Sequence, residues 1–288
     1  MVSYDPAWLD RMYNNRMLVP EHADHFARWM ADSAVARTTL PARLDLPYGD
    51  GPKETLDVFP AAGAGAPVLV FIHGGYWRGL DKGDHSFVAP AFHERDVCVV
   101  VPNYALCPGT PERPVGIGDI AMQMVRALEW TWHHVAEHGG DPSRITVSGH
   151  SAGGHLAAML AACDWKAVAP DLPADLVRNA LAISGLFDLR PLQHTPFLAP
   201  SLNLNDADSL RLSPAFWPAP TRGMLYAVCG GNESAEFLRQ NLLIRDAWGR
   251  DVVPICEALP GLNHFSVVET LADPVQRLHV LAMDLLEE

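Results

Sequence analysis

The sequence predicts an α/β protein in which helices cover both faces of a mainly parallel central sheet. Three observations predict it. Apolar strand-like runs alternate with amphipathic stretches, two of those runs open into glycine-rich turns, and 288 residues with 49% hydrophobic side chains suffice for a large core. The runs lie near Leu56–Phe59, Val68–His73, Val97–Asn103, Ile145–Ser148, Leu181–Ser184, Leu225–Gly230 and Val253–Leu259. Between the third and fourth, Ile117, Ala121, Met124, Leu128 and Val135 recur at helical spacing, which makes them the core face of a helix. No long linker or repeat interrupts the pattern, so residues 1–288 are expected to form one domain. Ala61–Ala66, small and glycine-rich between two strand candidates, reads as a hairpin loop. The segment 1–40 is expected to be helical, and 186–220, irregular and proline-rich from Pro191 to Pro220, is long for a plain connection. Both are candidate lids over a site. Simple docking of Trp8, Tyr13, Phe26 and Trp29 on the domain accounts for the first equally well.

The chemistry-bearing turns come next. Gly149-His150-Ser151-Ala152-Gly153 follows the β-branched run Ile145-Thr146-Val147 and leads into a helix-like stretch, His155–Ala162. A G-x-S-x-G sequence between strand and helix reads as a sharp turn that holds the serine hydroxyl clear of the backbone, with glycines where side chains would collide with neighbouring elements. Ser151 is the candidate nucleophile; capping of a helix by Ser151 is the plainer alternative. Upstream, the strand-like Val68–Ile72 runs into His73-Gly74-Gly75-Tyr76-Trp77. Attack of a serine on an acyl carbon builds negative charge on the carbonyl oxygen, and fixed backbone N–H groups stabilise it. The turn resembles the glycine loops of lipases and esterases, which supply such donors together with the residue after the nucleophile; that resemblance implies donors at Gly75, Tyr76 and Ala152, with Gly74 shaping the turn.

His73-Gly74-Gly75-Tyr76-Trp77 together with Gly149-His150-Ser151-Ala152-Gly153-Gly154 resembles the α/β-hydrolase superfamily, in the branch of hormone-sensitive-lipase-like esterases and arylformamidases. The H-G-G-x-W form is more similar to the arylformamidases (kynurenine formamidases). Ser184–Leu192, Asn232–Gln240 and Gly261–Phe265 resemble further segments of that branch, in its order, so the resemblance runs from about Thr55 to the C-terminus. It implies an α/β-hydrolase fold and a Ser, then Asp or Glu, then His order for the triad. Of the histidines after Ser151, namely His155, His194, His264 and His279, the resemblance selects His264 as the base, in the loop after Pro260. The family's aspartate falls on Glu233, delivered by the run Leu225–Cys229 to the sheet's C-terminal edge. Glutamate there departs from many relatives. Asp188, Asp206 and Asp208 stay open as the acid, with Glu233 then only capping the helix that begins at Ser234.

Tyr76, Trp77, Phe187, Trp217 and Phe265 are expected to form an aromatic pocket wall, which favours a compact aryl leaving group. The resemblance thus implies a serine hydrolase of a small carboxylic ester or an N-formyl aryl amide, arylformamidase first and short-chain carboxylesterase second. A non-catalytic ligand-binding protein on this fold is the alternative of another class. Such a protein usually lacks a member of the site, and here none is missing.

Other classes are disfavoured. A net charge of −13 works against nucleic acid and anionic membranes as partners. Cys98, Cys107, Cys163, Cys229 and Cys256 are odd in number and mostly inside apolar runs, as in a reduced, cytoplasmic protein. The start Met1–Pro6 is neither basic nor apolar, and no apolar stretch reaches ~18 residues. His134 and His138 are four apart but have no Glu in an H-E-x-x-H arrangement, so no metal is expected, and no phosphate loop points to a cofactor. A homodimer is compatible with the sequence.

Overall fold

Cys98-Val99-Val100-Val101-Pro102 shows no polar alternation because it is a strand covered on both faces, and all five residues are buried. The structure, a computed structural model, describes residues 5–288. Its strands are β1 (Arg43–Pro47), β2 (Thr55–Phe59), β3 (Ala66–Ile72), β4 (Cys98–Pro102), β5 (Gly109–Thr110), β6 (Arg113–Pro114), β7 (Gly140–His150), β8 (Asn179–Ile183), β9 (Leu225–Gly230) and β10 (Cys256–Leu259). Eight of them make one sheet in the order β1-β2-β4-β3-β7-β8-β9-β10, and β5 and β6 form a separate two-stranded ribbon. β1 and β2 pair antiparallel, as do β2 and β4. The remaining pairs in the large sheet are parallel.

Alternate residues of β3 serve opposite layers. Val68, Val70 and Ile72 pack with Ile120, Met124 and Leu128 of the helix Ile117–His134 and with Leu156 of the helix Ala152–Ala161. Leu69 and Phe71 face the other layer, with Phe92 and with Leu278, Leu281 and Leu285 of the helix Arg277–Glu287. The helical spacing from Ile117 onward therefore marked a core face, as expected.

One organisational expectation is corrected. Ala61–Ala66 is not a hairpin loop: β4 lies between β2 and β3, so the segment crosses from one strand to a non-adjacent one, and Ala66 already belongs to β3. β1 was not anticipated, since Arg43-Leu44-Asp45-Leu46-Pro47 is an edge strand without an apolar run. The segment 1–40 is helical where described, over Pro6–Tyr13, Asn15–Leu18 and His22–Thr39. In it Tyr13 and Trp29 are buried, while Trp8 is half exposed. Among the described residues no helix is long and apolar enough to cross a membrane.

Candidate active site

The C-terminal ends of β3, β7, β8 and β9 converge on one site. β7 ends at His150, and Ser151 turns the chain into the helix Ala152–Ala161 with φ 57° and ψ −114°. For a residue other than glycine such a backbone costs about 1–3 kcal/mol and must be held by its surroundings. The Ser151 N–H donates to the carbonyl of Ile183 at 2.7 Å. A Cβ on Gly149 would lie 2.3 Å from the backbone of Gly153, and one on Gly153 would lie 2.0 Å from the carbonyl oxygen of Ile72. Neither glycine can be replaced without moving backbone, which is the physical reason for the motif.

β3 delivers the second turn. Gly75, Tyr76 and Trp77 have φ 101°, 50° and 54°, three successive residues in the left-handed region. A Cβ on Gly75 would meet the carbonyl of Gly79 at 2.1 Å, and one on Gly74 would come within 2.9 Å of the His150 carbonyl and 3.2 Å of the Ser151 Cβ. The glycine loop thus lies directly against the serine turn. Ala152 is the first residue of its helix, where amide N–H groups lack intrahelical partners and the helix dipole is positive.

His264, in the loop after β10, is buried, and its Nδ1 lies 2.6 Å from Glu233 Oε2. The Glu233 side chain is fully buried at the end of β9. Its Oε1 accepts from the Gly230 N–H at 2.7 Å and from the Ser184 hydroxyl at 2.5 Å. A carboxylate held by these donors fixes the Nδ1–H tautomer of His264 and leaves Nε2 as the proton acceptor. The alternative acids lie elsewhere. Asp188 pairs with Arg190 at 2.9 Å, Asp206 accepts from Gln193, and Asp208 pairs with Arg211. His155 is bound to the Leu212 carbonyl and His279 to that of Leu271, so neither shares this arrangement.

Ser151 and His264 line one cavity of about 580 Å³, together with Gly75 and Tyr76 of the glycine loop. Phe265 lines it too, as expected. Three other wall residues do not. Trp77 is fully buried, its ring turned away against His155 at 5.0 Å, since the reversal of the chain at Tyr76 and Trp77 sends consecutive side chains to different sides. Phe187 folds back over Gly185 into the core beside Ala158 and Ala227. Trp217 lines a separate cavity next to Cys163 and Trp165. Their places are taken by Phe26 and Trp29 of the N-terminal helices and Phe197 of the 186–220 stretch.

Several contributors were not singled out from sequence. Ser184, marked in the sequence only by its place in a family-like segment, donates to Glu233 at 2.5 Å. His150, the variable residue of the serine motif, donates from Nε2 to the His264 carbonyl at 2.8 Å and so fixes the histidine loop. Burial, with His264 beside it, holds His150 well below the usual imidazole range, so it stays neutral. Arg16 and Arg78 also reach the cavity, and among the described residues no aspartate or glutamate lines it.

The BD-FAE family model matches residues 56–176, which contain both glycine motifs. A kynurenine formamidase of Danio rerio is 27% identical over 284 residues, covering 94% of this chain and 90% of that protein. A solved Silicibacter sp. structure, provisionally named a thioesterase, is 32% identical with a TM-score of 0.83, covering 96% of this chain and 98% of that one. The chain belongs to the esterase/arylformamidase branch of the α/β-hydrolase superfamily. It is a hydrolase of that branch. Carboxylesterase NlhH of Mycobacterium tuberculosis is 44% identical over 97 residues, 33% of this chain and 28% of that protein.

Proposed function

We propose that this hydrolase cleaves N-formyl aryl amides, with Ser151 as nucleophile, His264 as general base and acid, and Glu233 as the carboxylate that orients His264. The observation that carries the reading is the 2.6 Å contact of His264 Nδ1 with Glu233, behind a cavity whose wall holds both Ser151 and His264. Ser151 Oγ attacks the acyl carbon while His264 Nε2 takes its proton. The backbone N–H groups of Gly75, Tyr76 and Ala152 receive the oxyanion, with Gly74 holding the loop against the serine turn. His264 then protonates the leaving nitrogen and the C–N bond breaks; water deprotonated by His264 attacks the acyl-enzyme, the bond from the acyl carbon to Ser151 Oγ breaks as His264 returns the proton to Oγ, and formate leaves.

Two observations favour a formamide with an anionic leaving group. The likeness to a kynurenine formamidase runs over nearly the whole chain, whereas the likeness to carboxylesterase NlhH covers a third of it. In a protein of net charge −13, the described residues that line the cavity include two arginines and no carboxylate. Arg78 is placed by the Phe197 carbonyl at 2.7 Å and the Ser201 hydroxyl at 3.0 Å, with its guanidinium over the Phe197 ring. Its pKa is depressed by burial and by Arg16, so an anion between the two relieves their repulsion. The leaving arylamine would carry a carboxylate there.

The 1–40 and 186–220 elements would cap this cavity, since Phe26, Trp29 and Phe197 reach it from them. A cytoplasmic location is supported by five cysteines that are all free thiols. Short-chain carboxylesterase is the second reading, favoured by the 44% identity with NlhH over 97 residues. The test is kcat/KM on matched aryl formamides and aryl acetates, each with and without a ring-borne carboxylate. The proposal expects the anionic formamide to lead; an acetate preference supports the esterase. No turnover of either series, with no fluorophosphonate labelling of Ser151, makes the chain a non-catalytic binding protein.

A further inference from the structure

The glycine loop is held in its unusual backbone conformation by something outside the sheet. The Tyr76 hydroxyl donates to the main-chain carbonyl of Tyr13 at 2.6 Å, and Tyr13 is the last residue of the helix Pro6–Tyr13. Tyr13 is fully buried. Its own hydroxyl donates to Glu236 Oε2 at 2.6 Å and accepts from Gln240 Nε2 at 3.2 Å. Both partners belong to the helix Ala235–Trp248, which starts two residues after Glu233. The Tyr13 ring packs edge-on against Phe237 at 5.9 Å, and Phe237 lies 4.5 Å from the His264 ring. Burial, with neighbouring negative charge, pushes both phenols well above their ordinary range, so both remain neutral donors. Arg239 grips both oxygens of Glu236, donating from Nε to Oε1 at 2.9 Å and from Nη2 to the shared Oε2 at 2.8 Å, which keeps that carboxylate fixed as the anchor.

One residue of the N-terminal helix therefore touches both halves of the site: through its carbonyl the oxyanion loop, and through its ring and hydroxyl the helix that follows the acid and packs on the base. We propose that Tyr13 and the Tyr76 hydroxyl form a positioning strap that sets the oxyanion donors in register with Ser151 and His264. The N-terminal helix is then part of the catalytic apparatus and more than a cap over it. The strap acts where charge develops on the acyl oxygen, so its loss lowers kcat and spares substrate binding. This rests on the serine-hydrolase reading above.

The test compares wild type, Tyr76→Phe, Tyr13→Phe and Ser151→Ala with an aryl formamide and an aryl acetate. Two further readouts are thermal unfolding and the inhibition constant of a phenylboronic acid that mimics the tetrahedral adduct. Losing a whole oxyanion donor costs about a hundredfold to a thousandfold, and a displaced donor should cost less, about tenfold or more. Tyr76→Phe keeps the ring and removes only the strap bond; the expected result is a kcat lower by about tenfold or more, a KM within about twofold, and boronate affinity weakened by the same factor as kcat/KM. Tyr13→Phe keeps the carbonyl that Tyr76 binds but frees the strap from Glu236; a smaller loss with the same kcat-only signature is expected. A Tyr76→Phe enzyme with wild-type kcat and boronate affinity, beside an inactive Ser151→Ala, overturns the strap and leaves the serine mechanism standing. Loss of kcat with unchanged boronate affinity also overturns it. If Tyr76→Phe does not fold, Tyr13→Phe decides by the same criteria. A wild type without turnover or Ser151 labelling defeats the underlying reading instead.

Discussion

Replacing Glu233 by glutamine changes no shape and removes one charge, yet the surroundings of the side chain make the outcome severe. Oε1 accepts two hydrogen bonds, from the Gly230 N–H and the Ser184 hydroxyl, while Oε2 faces Nδ1 of His264. If the amide keeps its oxygen in the Oε1 place, its NH2 points at Nδ1, which must then accept. The proton moves to Nε2, and His264 can no longer take one from Ser151. The reverse orientation keeps the right tautomer but turns an NH2 toward the Gly230 N–H, while the Ser184 hydroxyl can rotate to accept from it. The Gly230 N–H is then a buried donor without an acceptor, which costs about 1–3 kcal/mol and favours the wrong tautomer by that amount. At about 1.4 kcal/mol per factor of ten, this alone lowers kcat by about fivefold to about a hundredfold, and loss of the charge beside the imidazolium adds to it. KM should stay nearly constant, because Glu233 lies behind the cavity and does not line it. Asp188→Asn, whose carboxylate pairs with Arg190 at 2.9 Å and not with His264, should leave kcat near wild type. Steady-state kinetics on one aryl formamide measures all three. A Glu233→Gln enzyme of near wild-type kcat refutes the reasoning, and does so decisively if Asp188→Asn is inactive.

Three further outcomes are expected. Arg78→Met should raise KM about tenfold or more for a carboxylate-bearing aryl formamide and leave its neutral analogue unchanged; equal effects on both would show that Arg78 only supports the Phe197 loop. Cys107 lines the cavity but burial pushes its thiol up to about 12, so iodoacetamide at neutral pH should not inactivate the enzyme, and rapid inactivation traced to Cys107 would contradict the structure. Asp57 is fully buried, bonded to Lys82 Nζ at 2.6 Å and paired with Arg37. Because Asp57→Ala strands the buried lysine with only the exposed Asp45, it should cost about 3–5 kcal/mol, measured by denaturant unfolding, and a change under about 1 kcal/mol would exclude that role.

The parts legible in the sequence are those whose chemistry is local. The serine turn and the glycine loop are short motifs because steric demands at Gly149, Gly153, Gly74 and Gly75 act over a few residues and a neighbouring strand end. Buried parallel strands announce themselves by uninterrupted apolar runs, and β1 does not, being an edge strand with an exposed face. The hairpin reading of Ala61–Ala66 failed because composition marks a loop but not which strands pair across it. The aromatic wall was only half readable. Whether Tyr76 or Trp77 faces the cavity depends on two left-handed residues in succession, and neither side chain's direction is encoded in its identity. Ser184, Arg78 and Tyr13 were out of reach for a third reason. Each acts on a partner 49 to 119 residues away, or across 223 in the case of Tyr13, and one sequence carries no record of such contacts.

The central claim is that Ser151 carries the acyl group in a mechanism driven by His264. Its most direct test is rapid acid quench of the enzyme during turnover of an aryl ester with a slow deacylation step, followed by peptide mass spectrometry. One acyl group per chain is expected on the peptide containing Ser151, with no adduct in Ser151→Ala and strongly slowed accumulation in His264→Ala. Turnover without any covalent adduct, or an adduct that persists in Ser151→Ala, would contradict it.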